Sequence, residues 1–183
     1  THLHADQTHG INDLRAFSLI SKKKLPIYAD KITSKYLYNT FKYCFKSSLG
    51  YKPTLCLNKL KDKHIFINKK NKITIQALPV EHGRIESICY LINKKLAYAS
   101  DISLIYKKDF MVLKELNYLI IDCLWEKNHS AHFNLEQVLR IVNIIKPKKT
   151  ILTNMHSDFD YDKLKKKLPK NITPGFDGMV LNL

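Results

Sequence analysis

The spacing of hydrophobic and polar positions changes several times along the chain. Residues 10–20, GINDLRAFSLI, place Ile11, Leu14, Phe17 and Leu19 at helical intervals, and LPIYA at 25–29 is a short apolar run of the kind that forms a buried strand. DKITSKYLYNTFKYCF (30–45) predicts a second helix. From Thr54 to Asn93 the pattern becomes extended: TLCLNKL, HIFIN, KITIQALPV and ESICYLI are β-branched or aromatic runs divided by Lys, Asn, Asp and Gly turns. KLAYAS continues the sheet. NYLIIDCLW (117–125) predicts another strand, NLEQVLRIVNIIK (134–146) an amphipathic helix, KTILTNM (149–155) a strand and DYDKLKKKL (160–168) a last helix. This alternation predicts an α/β fold with helices on both faces of the sheet. With 183 residues and neither an internal repeat nor a linker, the chain is expected to form a single domain over 1–183.

Composition narrows the class. A hydrophobic content of 45% is enough for a packed core. Cys44, Cys56, Cys89 and Cys123 form no CxxC pair and fit packing positions in a reducing cytoplasm. No apolar run approaches the roughly 18 residues of a membrane span, and no signal-peptide pattern precedes Thr1, so a soluble cytoplasmic protein is expected. The formal charge is +15, yet all but Arg15, Arg84 and Arg140 of the 31 basic residues are lysine. Arginine is the residue suited to bidentate recognition of phosphate and guanine. The lysine excess therefore reads as a solvated surface rather than a nucleic-acid groove, while still attracting a small phosphorylated substrate.

The candidate chemistry begins at THLHADQTHG. His2, His4 and Asp6 alternate, so an extended segment would point all three to one side, as metal ligands require. Further imidazoles and carboxylates follow predicted strands: Glu81-His82-Gly83 after KITIQALPV, Asp101 after KLAYAS, His129 and His132 after YLIIDCLW, and His156 after KTILTNM. Strand ends are where open α/β sheets present ligands.

Together these motifs resemble the metallo-β-lactamase-fold hydrolases. HLHADQTHGINDLR is similar to their HxHxDH signature running into a helix, EHG (81–83) to the next histidine motif and YASD (98–101) to the aspartate motif. HFNLEQVL (132–139), LTNMHSDFDYDKLKKKLP (152–169) and GFDGM (175–179) resemble more narrowly the branch that contains PhnP, the phosphoribosyl cyclic phosphodiesterase of bacterial phosphonate breakdown. The resemblance covers essentially the whole chain and implies a four-layer αββα fold. In that family the first motif follows several N-terminal strands, whereas here it begins at residue 2. Either this sequence is a piece of a longer product or the encoded protein is truncated, and a fold missing those strands would expose a sheet edge and an apolar face to a homodimer or another partner chain.

The resemblance assigns His2, His4 and His82 to one divalent metal, Asp101 to a bridge and Asp6 to a second metal, where Asp6 also orients a nucleophilic hydroxide. Gln7 and Asn154 stand where the family has the remaining histidines, so the second site is expected to be weakened, because an amide oxygen suits zinc less well than imidazole. His156 is either a replacement ligand or a surface residue. His132 is expected to assist the phosphoryl group or leaving oxygen, or else to cap the helix that follows it. Arg84 either holds phosphate or is solvated, and His9 and Asp13 support the site or the helix start. Zinc or manganese, as one or two ions, fits the donor set. The implied function is hydrolysis of a small phosphodiester or cyclic phosphate through a metal-activated hydroxide. Two alternatives stand beside it. One is a catalytically impaired relative holding at most one metal. The other is a tRNA-processing nuclease of the same superfamily, against which the lack of a long Gly/Pro-rich arm counts.

Overall fold

The computed structural model of the protein describes residues 1–47, 50–68 and 71–183. The chain divides into two compact units, Thr1–Lys61 and Asp62–Leu183.

In the first unit a short helix α1 (Ala5–Thr8) leads through a 3-10 turn (His9–Asp13) into α2 (Leu14–Ser21). β1 (Leu25–Ala29), α3 (Lys31–Thr40), α4 (Lys42–Phe45) and β2 (Leu55–Lys59) follow, and the two strands pair in parallel. Asp30 starts α3 by accepting hydrogen bonds from the amides of Ile32 (2.7 Å) and Thr33 (3.0 Å). Two expectations are corrected here. The single helix over 30–45 is broken at Phe41, whose backbone leaves the helical region (φ −118°, ψ 38°) while its ring packs against the core of Ile11, Ala29, Leu37, Cys44 and Leu55. The extended alternation of His2, His4 and Asp6 also fails, because the chain turns helical at Ala5. Thr8 holds that turn by donating its hydroxyl to the His4 carbonyl at 2.8 Å.

The second unit is built on a seven-stranded sheet in simple sequence order: β3 (Lys63–Asn68), β4 (Asn71–His82), β5 (Ile85–Ile92), β6 (Leu96–Ala99), β7 (Tyr118–Asp122), β8 (Lys149–Thr153) and β9 (Ile172–Pro174). β3 to β6 are joined by antiparallel pairings and β6 to β9 by parallel ones. Parallel neighbours need crossovers. α5 (Leu135–Ile145) links β7 to β8, and α6 (Tyr161–Lys167) links β8 to β9. α5 is specified locally by a capping box, in which the Asn134 side chain accepts from the Gln137 amide (2.8 Å) and the Gln137 side chain accepts from the Asn134 amide (2.9 Å). Its Val138, Val142 and Ile145 recur at helical spacing and are buried. β9 was not legible in the sequence, being three residues long and carrying a proline at the sheet edge.

The core of this unit includes Leu119, Ile121, Leu152, Val138 and Ile145. Each such side chain contributes about 1.5–3 kcal/mol by leaving water. No described helix is long and apolar enough to cross a membrane. Strand direction is what positions the chemistry: β4 and β6 both run antiparallel to β5, so β4, β6, β7 and β8 all finish at one edge of the sheet.

The cysteines pack as expected. Burial raises the thiols of Cys89 and Cys123 to about 12, and that of Cys44 is also raised. Only Cys56 is partly exposed. At pH 8 a disulfide reagent should modify Cys56 in the native protein and reach the other three only after unfolding, counted by thiol release; rapid native labelling of Cys89 or Cys123 would contradict this packing.

Candidate metal centre

Four residues meet where β4, β6 and β7 end. His82 is the last residue of β4 and is buried. Its Nδ1 donates to the Ala131 carbonyl at 2.7 Å. A carbonyl has no proton to give, so Nδ1 carries the hydrogen and Nε2 the lone pair. Gly83 makes this approach possible. Its φ of +62° is left-handed, and a Cβ there would lie 3.0 Å from the Ala131 Cβ.

Asp101 follows β6 and is 5% exposed; its Oδ2 is buried with no hydrogen-bond partner among the described residues. Asp122 ends β7 and is fully buried. Its Oδ2 accepts from the Ile102 amide at 3.0 Å and from His132 Nδ1 at 2.6 Å. Burial pushes the Asp122 carboxyl above the ordinary carboxylate range and nearby Asp101 adds to this, while the His132 hydrogen bond acts against it. His132, whose ring centroid lies 4.7 Å from that of His82, completes the group. One donor atom each from His82, Asp101 and His132 lies within 4.8 Å of the other two. Two imidazoles and a carboxylate form a donor set for a divalent metal, and the buried Asp101 Oδ2, which no described hydrogen bond satisfies, fits a cation at this position.

The capping alternative for His132 is overturned, because Asn134 caps α5. His129 adds a ring 5.2 Å from that of His132, with its Nδ1 accepting from the Ala131 amide at 3.2 Å. Asp122 escaped the sequence reading. The one available signal was a carboxylate closing the otherwise apolar strand YLIID.

In the first unit, His2 is buried and His4 exposed, with ring centroids 4.4 Å apart. Gln7 is held at both ends of its amide: Oε1 accepts from the Thr1 hydroxyl at 2.9 Å and Nε2 donates to Asp6 Oδ2 at 2.9 Å. That second bond holds the Asp6 carboxyl below its usual range, with the neighbouring His2 and His4 acting in the same sense. Asn154 follows β8 at φ 56°, a left-handed conformation that asparagine tolerates, and lines a cavity of about 420 Å³ with Met155, Gly175, Phe176 and Met179. His156 is 43% exposed, stacks on Trp125 at 4.9 Å and faces Asp158 at 3.3 Å. It lies at the surface and takes no part in the His82 group. Arg84 is exposed in the turn between β4 and β5, two residues from His82. His9 bonds the Tyr36 hydroxyl at 3.0 Å, a contact internal to its own unit.

A family model described as a β-lactamase superfamily domain matches residues 1–155. Among solved structures, a diphosphatase from the PhnP family is 27% identical, with a TM-score of 0.85 over 98% of this chain and 67% of its own. The Bacillus subtilis protein YhfI, of metallo-β-lactamase fold, is 17% identical, with a TM-score of 0.75 over 98% of this chain and 73% of its own. Human tRNase Z, short form, is 16% identical, with a TM-score of 0.70 over all of this chain and 76% of its own. No curated protein matches the sequence.

Replacing Gly83 by alanine should strain the left-handed turn and drive a methyl group into Ala131. A loss of about 1–2 kcal/mol is expected, read by urea unfolding, together with a shift of the His82 ring signals in histidine-selective NMR. Unchanged stability and unchanged ring signals would show that this turn does not seat His82.

Proposed function

Because the chain belongs to the β-lactamase superfamily, we propose that it is a metal-dependent hydrolase acting on a small phosphodiester or cyclic phosphate. The observation that carries this reading is the grouping of buried His82 and Asp101 with part-buried His132, backed by Asp122. A divalent ion held there supplies a Lewis acid and an activated water at neutral pH. The protein's own contribution is rigid placement. His82 is fixed by the Ala131 carbonyl and His132 by Asp122, so both rings are oriented before substrate arrives.

The basic surface draws phosphorylated molecules toward the chain, and Arg84 offers an exposed guanidinium two residues from His82. The PhnP-family neighbour is a diphosphatase, which makes a phosphoric anhydride the second substrate class to assay. One observation favours a different outcome. Both ends of the Gln7 amide are committed to Thr1 and Asp6, which supports an impaired relative that binds metal without turning substrate over.

With zinc or manganese supplied, the full chain should hydrolyse bis(4-nitrophenyl) phosphate or a ribose cyclic phosphate. His82→Ala should lower kcat/KM by more than the roughly 10–100-fold typical of losing an outer hydrogen-bond partner of a ligand. Turnover that survives both His82→Ala and chelation would refute a metal-dependent reaction at this site. Turnover that emerges only in the Gln7→His, Asn154→His double variant would favour the impaired relative.

A further inference from the structure

We propose that a cavity in the first unit, formed by α2, α4 and the segment leading into β2, binds a small aromatic monophosphate, a flat ring carrying one phosphate group. The cavity lies wholly within Thr1–Lys61 and uses none of the histidines or carboxylates of the metal centre. The inference therefore goes beyond the hydrolase reading and does not rest on it.

Size and wall chemistry limit the occupant. The cavity holds about 270 Å³ and its wall is mostly apolar. That volume falls just below the roughly 300–1,000 Å³ of sites for drug-sized ligands, so it suits a single ring with one substituent. Buried Cys44 lines it, and Tyr43 and Tyr51 offer exposed rings against which an aromatic group can stack. Hydrogen bonds tie the walls together before a ligand enters. The Thr54 amide donates to the Cys44 carbonyl at 3.1 Å, the Leu25 amide donates to the Thr54 carbonyl at 3.0 Å, and the Tyr43 hydroxyl donates to Asn12 Oδ1 at 3.2 Å.

The cations set the charge of the occupant. Arg15 and Lys52 both line the cavity; among the described residues no carboxylate lines it, and neither cation joins an ion pair. The Arg15 guanidinium lies over the Tyr51 ring, 5.6 Å from its centroid. Such a stack holds the guanidinium plane and leaves the donors along its edge for an anion. Arginine is also the rarer choice here, at three of 31 basic residues. Arg140 is paired with Glu136 and Arg84 sits in the turn after β4, whereas Arg15 is built into a cavity wall. A fork of donors suits two-point recognition of phosphate, which a lysine in its place would not supply. A phosphate monoester carries about −1.5 to −2 at pH 7, a match for Arg15 and Lys52 together that a single carboxylate does not reach.

The test is calorimetric titration of the full chain, freed of metal by chelation, with phenyl phosphate as the probe and inorganic phosphate and phenol as its separate halves. One equivalent of phenyl phosphate should bind with a Kd of about 1 mM or below, and each half should bind about 10-fold more weakly or worse. Arg15→Gln should weaken phenyl phosphate by about 10-fold or more, with Arg15→Lys recovering only part of the loss, and Tyr51→Leu should weaken it by about 2–5-fold. Arg15 and Tyr51 are exposed, and far-UV circular dichroism checks that each variant folds. In the unaltered chain, nuclear Overhauser contacts from the phenyl protons to the Tyr43 and Tyr51 rings need no variant to succeed. Three results would each overturn the assignment: no saturable binding up to about 10 mM, inorganic phosphate binding as tightly as phenyl phosphate, or affinity that survives Arg15→Gln but is lost in His82→Ala. None of them bears on metal-dependent turnover.

Discussion

A carboxylate with no access to water, Asp122, joins the two loops on which the site depends. One of its oxygens accepts from the Ile102 amide, in the loop after β6, and from His132, in the loop after β7. Hydrogen bonds to a charged group are worth about 1.5–3 kcal/mol each, and here they also set geometry. Holding Ile102 positions the neighbouring Asp101, and holding His132 orients its ring. The Ala131 carbonyl, one residue before His132, fixes His82 in turn. Three strand ends are thereby locked to one another by hydrogen bonds centred on residues 101–102, 122 and 131–132.

The parallel arrangement of β6, β7 and β8, with β4 running the same way, is what brings these ends to one edge. Hydrophobic periodicity specifies such strands well, so the order of elements in this half of the chain was legible from the sequence, as was the start of α5 in its Asn134 and Gln137. Placing His82, Asp101 and His132 at strand ends followed from the same pattern.

What the sequence did not reveal depends on contacts between distant segments. Asp122 reads as an ordinary strand residue until the loop carrying His132 folds back over it. His129 gained meaning only through its distance from His132. At Ala5 a local hydrogen bond from Thr8 turns the chain helical, defeating an alternation that looked extended. His156 follows a strand, as His82 and Asp101 do at theirs, but stacks on Trp125 at the surface instead. Its position relative to β8 gave no hint of that. Gln7 and Asn154 stood out only against a family pattern. The structure gives each a local role, one as a link between Thr1 and Asp6 and the other in a left-handed turn.

Buried His82 and Asp101, at the ends of β4 and β6, are proposed as the heart of a metal centre. The direct measurement is anomalous diffraction at the zinc absorption edge from crystals of the full chain grown with zinc. An anomalous peak bonded to His82 Nε2 and an Asp101 carboxylate oxygen is the expected result. Ordered His82 and Asp101 side chains in excess zinc, with no peak between them, would contradict it.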